Sequence, residues 1–161
     1  MSKSLVAYFS AQERTKRISE RLAEKLGADL FEIQPKQAYT EEDLDWTNPE
    51  SRVSLEHEGE AFESGVELVS DKPENWDEYD TVLIGAPVWW GVAAWPIYNF
   101  VSENDFTGKT IYPFVVSHSS PLGGADKALQ ALSSSGDWKE GVRFSQSTST
   151  EELDGWAESL K

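Results

Sequence analysis

Two continuous apolar runs constrain this chain more than any other feature. Residues 5–9 read LVAYF and residues 81–84 read TVLI, the second bounded by Gly85, without the polar alternation of a half-exposed strand. Runs of that kind belong to strands buried on both faces, as in a parallel sheet covered by helices. Residues 110–117, TIYPFVVS, form a further strand, in which Pro113 is awkward because it removes one ladder donor. Between the runs the period becomes helical. Ile18, Leu22 and Leu26 recur at four-residue spacing, with Thr15 as the expected N-cap and Gly27 as the stop. Leu30, Phe31 and Ile33 make a second strand, ended by Pro35.

Later helices are expected over residues 95–103, with Pro96 in the first turn, and over 125–132, broken by Gly136. Residues 138–144 form a short last strand at best. Ser149 or Thr150 then caps a final helix, with Glu151 and Glu152 in its first turn and Leu153, Trp156 and Leu160 as its stripe. Strands alternating with helices predict an α/β three-layer sandwich. Its expected sheet is five-stranded and parallel, in the doubly wound order 2-1-3-4-5.

Residues 36–76 break this pattern. They are polar, acidic and unperiodic, and a compact domain seldom carries so long an irregular stretch without a use for it. The expectation is a long excursion in place of a regular second helix. Thr40 to Asp43 make one capped turn in it, and Val66 to Val69 a short edge strand.

At 161 residues the chain predicts a single domain spanning 1–161. No apolar run approaches a membrane span, and the N-terminus leads straight into a strand with no signal-peptide pattern. The absence of cysteine excludes disulfides, thiolate metal sites and a redox dithiol, and is compatible with the cytoplasm. A net charge of −15 argues against nucleic acid or an anionic membrane as partner. Residues 41–80 hold 15 of the 29 acids, whereas Arg14, Lys16, Arg17, Arg21 and Lys25 gather on one helix. An acidic run is ordinarily a solvated face; its functional reading is a docking surface for basic partner proteins.

Several motifs are missing. There is no GxSxG elbow and no GxGxxG, and the first loop lacks glycine altogether. Gly108-Lys109-Thr110 is the tail of a Walker motif without its first glycine, and reads as a turn into a strand. His57 and His118 are too few and too far apart in sequence to argue a metal site. What remains is three loops at one sheet edge, residues 10–15, 86–90 and 117–124. The first joins the hydroxyls of Ser10 and Thr15 to a helix N-terminus, which favours an anion. The second offers the indoles of Trp89 and Trp90 after Pro87, and the third offers backbone donors with close approach at Gly123 and Gly124. A phosphate socket beside an aromatic wall suits a phosphorylated planar ring, of which FMN is one.

These segments resemble a bacterial flavodoxin-like FMN protein of the branch with a PxWWG second loop. The resemblance rests on residues 10–15 (SAQERT), 39–46 with Ser51 and Arg52, 86–91 (APVWWG) and 95–97, and it covers nearly the whole chain. The order 2-1-3-4-5 with FMN at the switch point is flavodoxin's own arrangement, so that placement comes from the resemblance. The implied FMN-binding residues are Ser10, Gln12, Arg14 and Thr15, then Pro87, Val88, Trp89, Trp90 and Gly91, then Ser117, His118, Ser119 and Gly123. No catalytic or metal-ligating residue is implied. Where the family has glycine this chain has Glu13. The implied activity is low-potential electron transfer through non-covalently bound FMN to redox partner proteins with a basic face, by a monomer or weak dimer. The alternative is an FMN-dependent NAD(P)H:quinone-type oxidoreductase on the same fold.

Overall fold

The computed structural model describes residues 3–11, 13–59, 65–117, 120–133, 135–145 and 147–160. Strand β1 (Ser4–Tyr8) is interior to the sheet, with β2 (Asp29–Glu32) on one side and β3 (Thr81–Trp89) on the other, both parallel to it. After β3 the chain turns back as β4 (Val92–Ala93), antiparallel on the end of β3. Beyond β3 lies β5 (Thr110–Val116), and beyond that β6 (Asp137–Trp138) and β7 (Val142–Phe144), all parallel. The doubly wound order stands, but seven segments replace the expected five strands. Two local causes account for the difference.

The first is Pro113. The carbonyl of Ile111 accepts from Lys139 N at 2.8 Å, so odd-numbered residues of β5 turn their backbone groups toward the last strand. Proline has no N–H to offer there. Opposite it the last strand bulges at 139–141, and Gly141 N donates instead to Asp126 Oδ2 at 2.8 Å. The second is the length of β3. It does not stop at Gly85: a Cβ there would lie 2.2 Å from Phe114 Cζ, so glycine is present to admit that ring. The strand runs on through Pro87 to Trp89, and the expected loop shrinks to Trp90-Gly91. Both of these have positive φ, 49° and 80°, which is the two-residue hairpin turn that produces β4.

Alternation along the strands divides the core in two. Helices α1 (Arg14–Leu26) and α5 (Thr150–Ser159) cover one face; Ile18, Leu22, Leu153 and Ala157 pack there on Val6, Leu83 and Phe114. The other face packs Leu5, Ala7, Val82 and Ile84 against α3 (Tyr98–Glu103) and α4 (Ala125–Leu132), with Trp95, Phe100 and Phe106 among the fully buried side chains. Helix α1 starts at Arg14, and its cap lies two residues earlier than expected. Thr15 is therefore inside its first turn and buried, and the capping position belongs to Glu13.

The excursion is more regular than its sequence suggests. Thr40 and Asp43 cap each other reciprocally, Thr40 N to Asp43 Oδ2 at 3.0 Å and Asp43 N to Thr40 Oγ1 at 3.1 Å. A short helix, α2 (Arg52–Glu58), follows, its cap the Ser51 hydroxyl. The expected edge strand over 66–69 is a single antiparallel bridge, Pro35 to Leu68. At the opposite edge of the sheet Lys109 is buried, and its ammonium donates to the carbonyls of Trp76 and Tyr79. The Walker-like tail is thus a turn held by an internal lysine. Among the described residues no helix is long and apolar enough to cross a membrane.

Candidate functional site

The pairing of β1 with β3 ends at Gly85, whose carbonyl receives Phe9 N at 3.0 Å. Past that point β3 runs on beyond the end of β1, still paired with β5 as far as Pro87, and a cleft of about 520 Å³ opens between this extension and the β1–α1 connection. This is the carboxyl edge of the sheet at its switch point, where open α/β folds place ligands. One end is formed by Ala11 and by Arg14 and Thr15 of the first turn of α1. Pro87, Val88, Trp89 and Trp90 make one wall, and Val116, Ser117 and Ser120 close the side nearest β5. Leu44, Trp46 and Val53 of the excursion complete the rim.

The α1 end has the marks of an anion site. Glu13 is left-handed, φ 64°, the conformation for which glycine is the ordinary residue, and its side chain makes no capping hydrogen bond. No acid stands in the first turn. Its backbone N–H groups and the positive end of the helix therefore face the cleft without an internal acceptor from that cap. Among the described residues the buried Ser10 hydroxyl has no hydrogen-bond partner. Ser10 lies under this loop rather than on the cleft surface, beside a second hollow of about 330 Å³ that also touches Ala11 and Tyr39.

The aromatic wall is built ring on ring. Trp89 is half-buried and meets Phe9, Tyr39 and Trp95 edge to face, at centroid distances of 5.5, 5.3 and 4.9 Å. Trp90 is 40% exposed and stacks on His57 at 4.5 Å, nearly parallel. Trp46 is the most open of the three cleft indoles, 71% exposed. On the far side Arg143 Nε donates to the Ser117 hydroxyl at 2.8 Å, and that hydroxyl donates to the Ser120 carbonyl. The third loop is thereby tied to β7.

The sequence of residues 3–160 matches the Flavodoxin family. The chain belongs to the flavodoxin family. A protein described as a flavoprotein from Bacteroides uniformis is 38% identical, with a TM-score of 0.88 and 98% of each chain covered. One so described from Bacteroides eggerthii is also 38% identical, with a TM-score of 0.87, over 99% of this chain and 98% of that one. A Lactobacillus acidophilus flavoprotein solved in complex with FMN shares the fold at 22% identity, TM-score 0.67, covering 98% of this chain and 99% of that one. Among curated proteins, none matches this chain.

On this flavodoxin frame the cleft gathers Arg14, Thr15, Pro87, Val88, Trp89, Trp90 and Ser117 of the residues expected from sequence. Ser10, Gly91 and Gly123 do not line it, and Gln12, His118 and Ser119 lie outside the described residues. Leu44, Trp46 and Val53 were missed. Their signal was two apolar residues, Leu44 and Trp46, in an otherwise acidic run, with no period to mark them as facing one way.

Proposed function

We propose that this flavodoxin-family protein binds FMN non-covalently in the cleft and works in the cytoplasm as a low-potential electron carrier. The observation that carries the reading is one cleft joining an uncapped, acid-free helix start to an aromatic wall. The residues suit the group. The first-turn amides of α1, the Thr15 hydroxyl and the Arg14 guanidinium are donors for a phosphate, and the buried Ser10 hydroxyl is an unused one beneath the same loop. Pro87, Val88, Trp89, Trp90 and Trp46 offer apolar surface for the ring. When bound, FMN supplies one- and two-electron transfer; the protein supplies orientation and electrostatics. The chain's own net charge of −15 disfavours further negative charge in the cleft and steers basic partner proteins toward it. No side chain in this reading acts as acid, base or nucleophile.

The test is anaerobic mixing of the flavin-loaded protein. A carrier, once chemically reduced, passes electrons to a basic acceptor such as cytochrome c, at a rate that falls as salt rises. NADPH alone leaves it oxidised. Rapid bleaching by NADPH marks the reductase instead, and a transfer rate independent of ionic strength removes the acidic docking surface from the account.

A further inference from the structure

Glu56, on α2, accepts hydrogen bonds from three separate places. Its Oε1 receives the Tyr39 hydroxyl at 2.6 Å and Trp95 Nε1 at 3.0 Å, and its Oε2 receives Arg52 Nε at 3.0 Å. Both charged side chains are largely buried, 16% and 17% exposed. The Arg52 guanidinium also lies 3.8 Å over the ring of Tyr39 and donates to the Gln37 carbonyl at 2.7 Å, with Asp43 3.9 Å away. Nothing in the electron-carrier reading uses this cluster.

Its position gives it a use. Tyr39 and Trp95 are two of the three rings that box Trp89, and the polar ends of both sit on the same oxygen of Glu56. Burial, and then the bond to Glu56, raises the Tyr39 hydroxyl far above its ordinary pKa, so it stays a donor. One carboxylate thus spans the excursion, the α2 helix and the start of the segment leading into α3. We propose that Glu56 is a positioning residue: through Tyr39 and Trp95 it sets the orientation of Trp89 in the cleft wall, with Arg52 balancing its charge. The consequence for ligand rests on the FMN reading, because a planar ring feels the seat of Trp89; the consequence for the wall itself does not.

Arg52 is needed for a stated reason. A buried carboxylate without a cation is costly, whereas a pair with its remaining lone pairs satisfied is tolerated. Glutamine at 56 retains one acceptor oxygen for Tyr39 and Trp95 and loses the charge and the acceptor of Arg52 Nε, whose guanidinium keeps the Gln37 carbonyl.

The experiment compares Glu56→Ala, Glu56→Gln and Tyr39→Phe in three measurements: near-ultraviolet circular dichroism of the apoprotein, thermal unfolding, and titration with FMN. Glu56→Ala is expected to lose much of the aromatic dichroism and to weaken FMN about tenfold, while Glu56→Gln recovers both to within about twofold. Tyr39→Phe keeps the ring and its contacts and removes one donor, so it is expected to shift the tryptophan bands of the dichroism, to which the lost phenol does not contribute, and weaken FMN about threefold. If Glu56→Ala does not fold, Tyr39→Phe and Glu56→Gln decide the matter. The proposal is overturned if Glu56→Ala or Tyr39→Phe keeps the wild-type tryptophan bands, or if Glu56→Gln fails alongside Glu56→Ala, which would reduce the cluster to an ion pair for stability. If the wild-type protein takes up no FMN, the functional reading falls, and the apoprotein dichroism still decides the positioning role.

Discussion

The two faces of the sheet are held by different means. Under α1 and α5 the contacts are mostly aliphatic, Ile18, Leu22, Leu153 and Ala157 on Val6 and Leu83, with a smaller ring cluster of Phe114, Phe144 and Trp156 and with Arg21 to Asp154 across the helix pair at 2.7 Å. The other face is dense in rings, from Trp76 through Phe100 and Phe106 to Trp95, and is anchored by polar groups buried at single points: Glu56, Lys109 and Asp126. Aliphatic packing is non-directional and tolerates small shifts. Edge-to-face rings and buried hydrogen bonds fix angles, and the aromatic wall of the cleft is framed by that second kind of contact. The difference separates what keeps the fold from what shapes the site.

The comparison is broken most severely by emptying the aliphatic face. Leu22→Ala removes a fully buried side chain and is expected to cost about 2–5 kcal/mol in urea unfolding. FMN affinity should stay within about twofold of wild type while the protein is folded, because the cost is to stability and not to the cleft's donors. A large loss of affinity would show that the two faces are not independent.

On the ring-dense face, Lys109→Met removes the ammonium donor from the carbonyls of Trp76 and Tyr79, of which the first keeps Tyr79 N. The expected loss is about 1–3 kcal/mol, again read in urea, with no change at the cleft on the far edge of the sheet. Trp90→Ala should do the reverse. Trp90 is 40% exposed, so stability changes little, but FMN binding is expected to weaken roughly tenfold, within the about 1–3 kcal/mol that stacking contributes where aromatic–base contacts have been measured.

Glu13 gives a smaller effect of opposite sign. Its φ of 64° is uncomfortable for a side chain, and glycine there should stabilise the protein by about 0.5–1 kcal/mol in urea unfolding. Removing a carboxylate beside the phosphate end should also tighten FMN, whereas Arg14→Ala loosens it. Weaker binding in Glu13→Gly would mean the carboxylate supports the loop.

The smallest effect is the pH response of the charged link. The hydrogen bond from Arg21 holds the Asp154 carboxyl below its ordinary pKa. A depressed carboxylate stabilises the fold above the unfolded-state value of about 4 and loses that contribution as pH falls through the folded-state value. Melting temperatures of Asp154→Asn should therefore fall less than wild type below about pH 4.

The aliphatic face was legible because its residues repeat. Ile18, Leu22 and Leu26 mark α1, Gly27 ends it in the left-handed conformation, and the Ser149 hydroxyl caps α5 by accepting from Glu152 N. The other face was less so. Gly85 and Pro87 read as stops, yet one makes room for Phe114 and the other still accepts from Ala94 N. Pro113 announced a disturbed ladder without saying that the neighbouring strand would split. The loops at α1 and β3 were visible as parts of the site. The excursion's share was not, since Leu44, Trp46 and Val53 reach the cleft, and Glu56 the back of its wall, through tertiary contacts that no local period encodes.

The central claim is that the α1 start and the tryptophan wall form one FMN site. Its most direct measurement is titration of apoprotein with FMN, following flavin fluorescence, for wild type, Arg14→Ala and Trp90→Ala. The account predicts stoichiometric quenching in the wild type and weaker binding in each variant, with Arg14→Ala alone losing its dependence on the phosphate when riboflavin replaces FMN. Wild-type protein that leaves FMN fluorescence unchanged, or both variants binding as tightly as wild type, would contradict it.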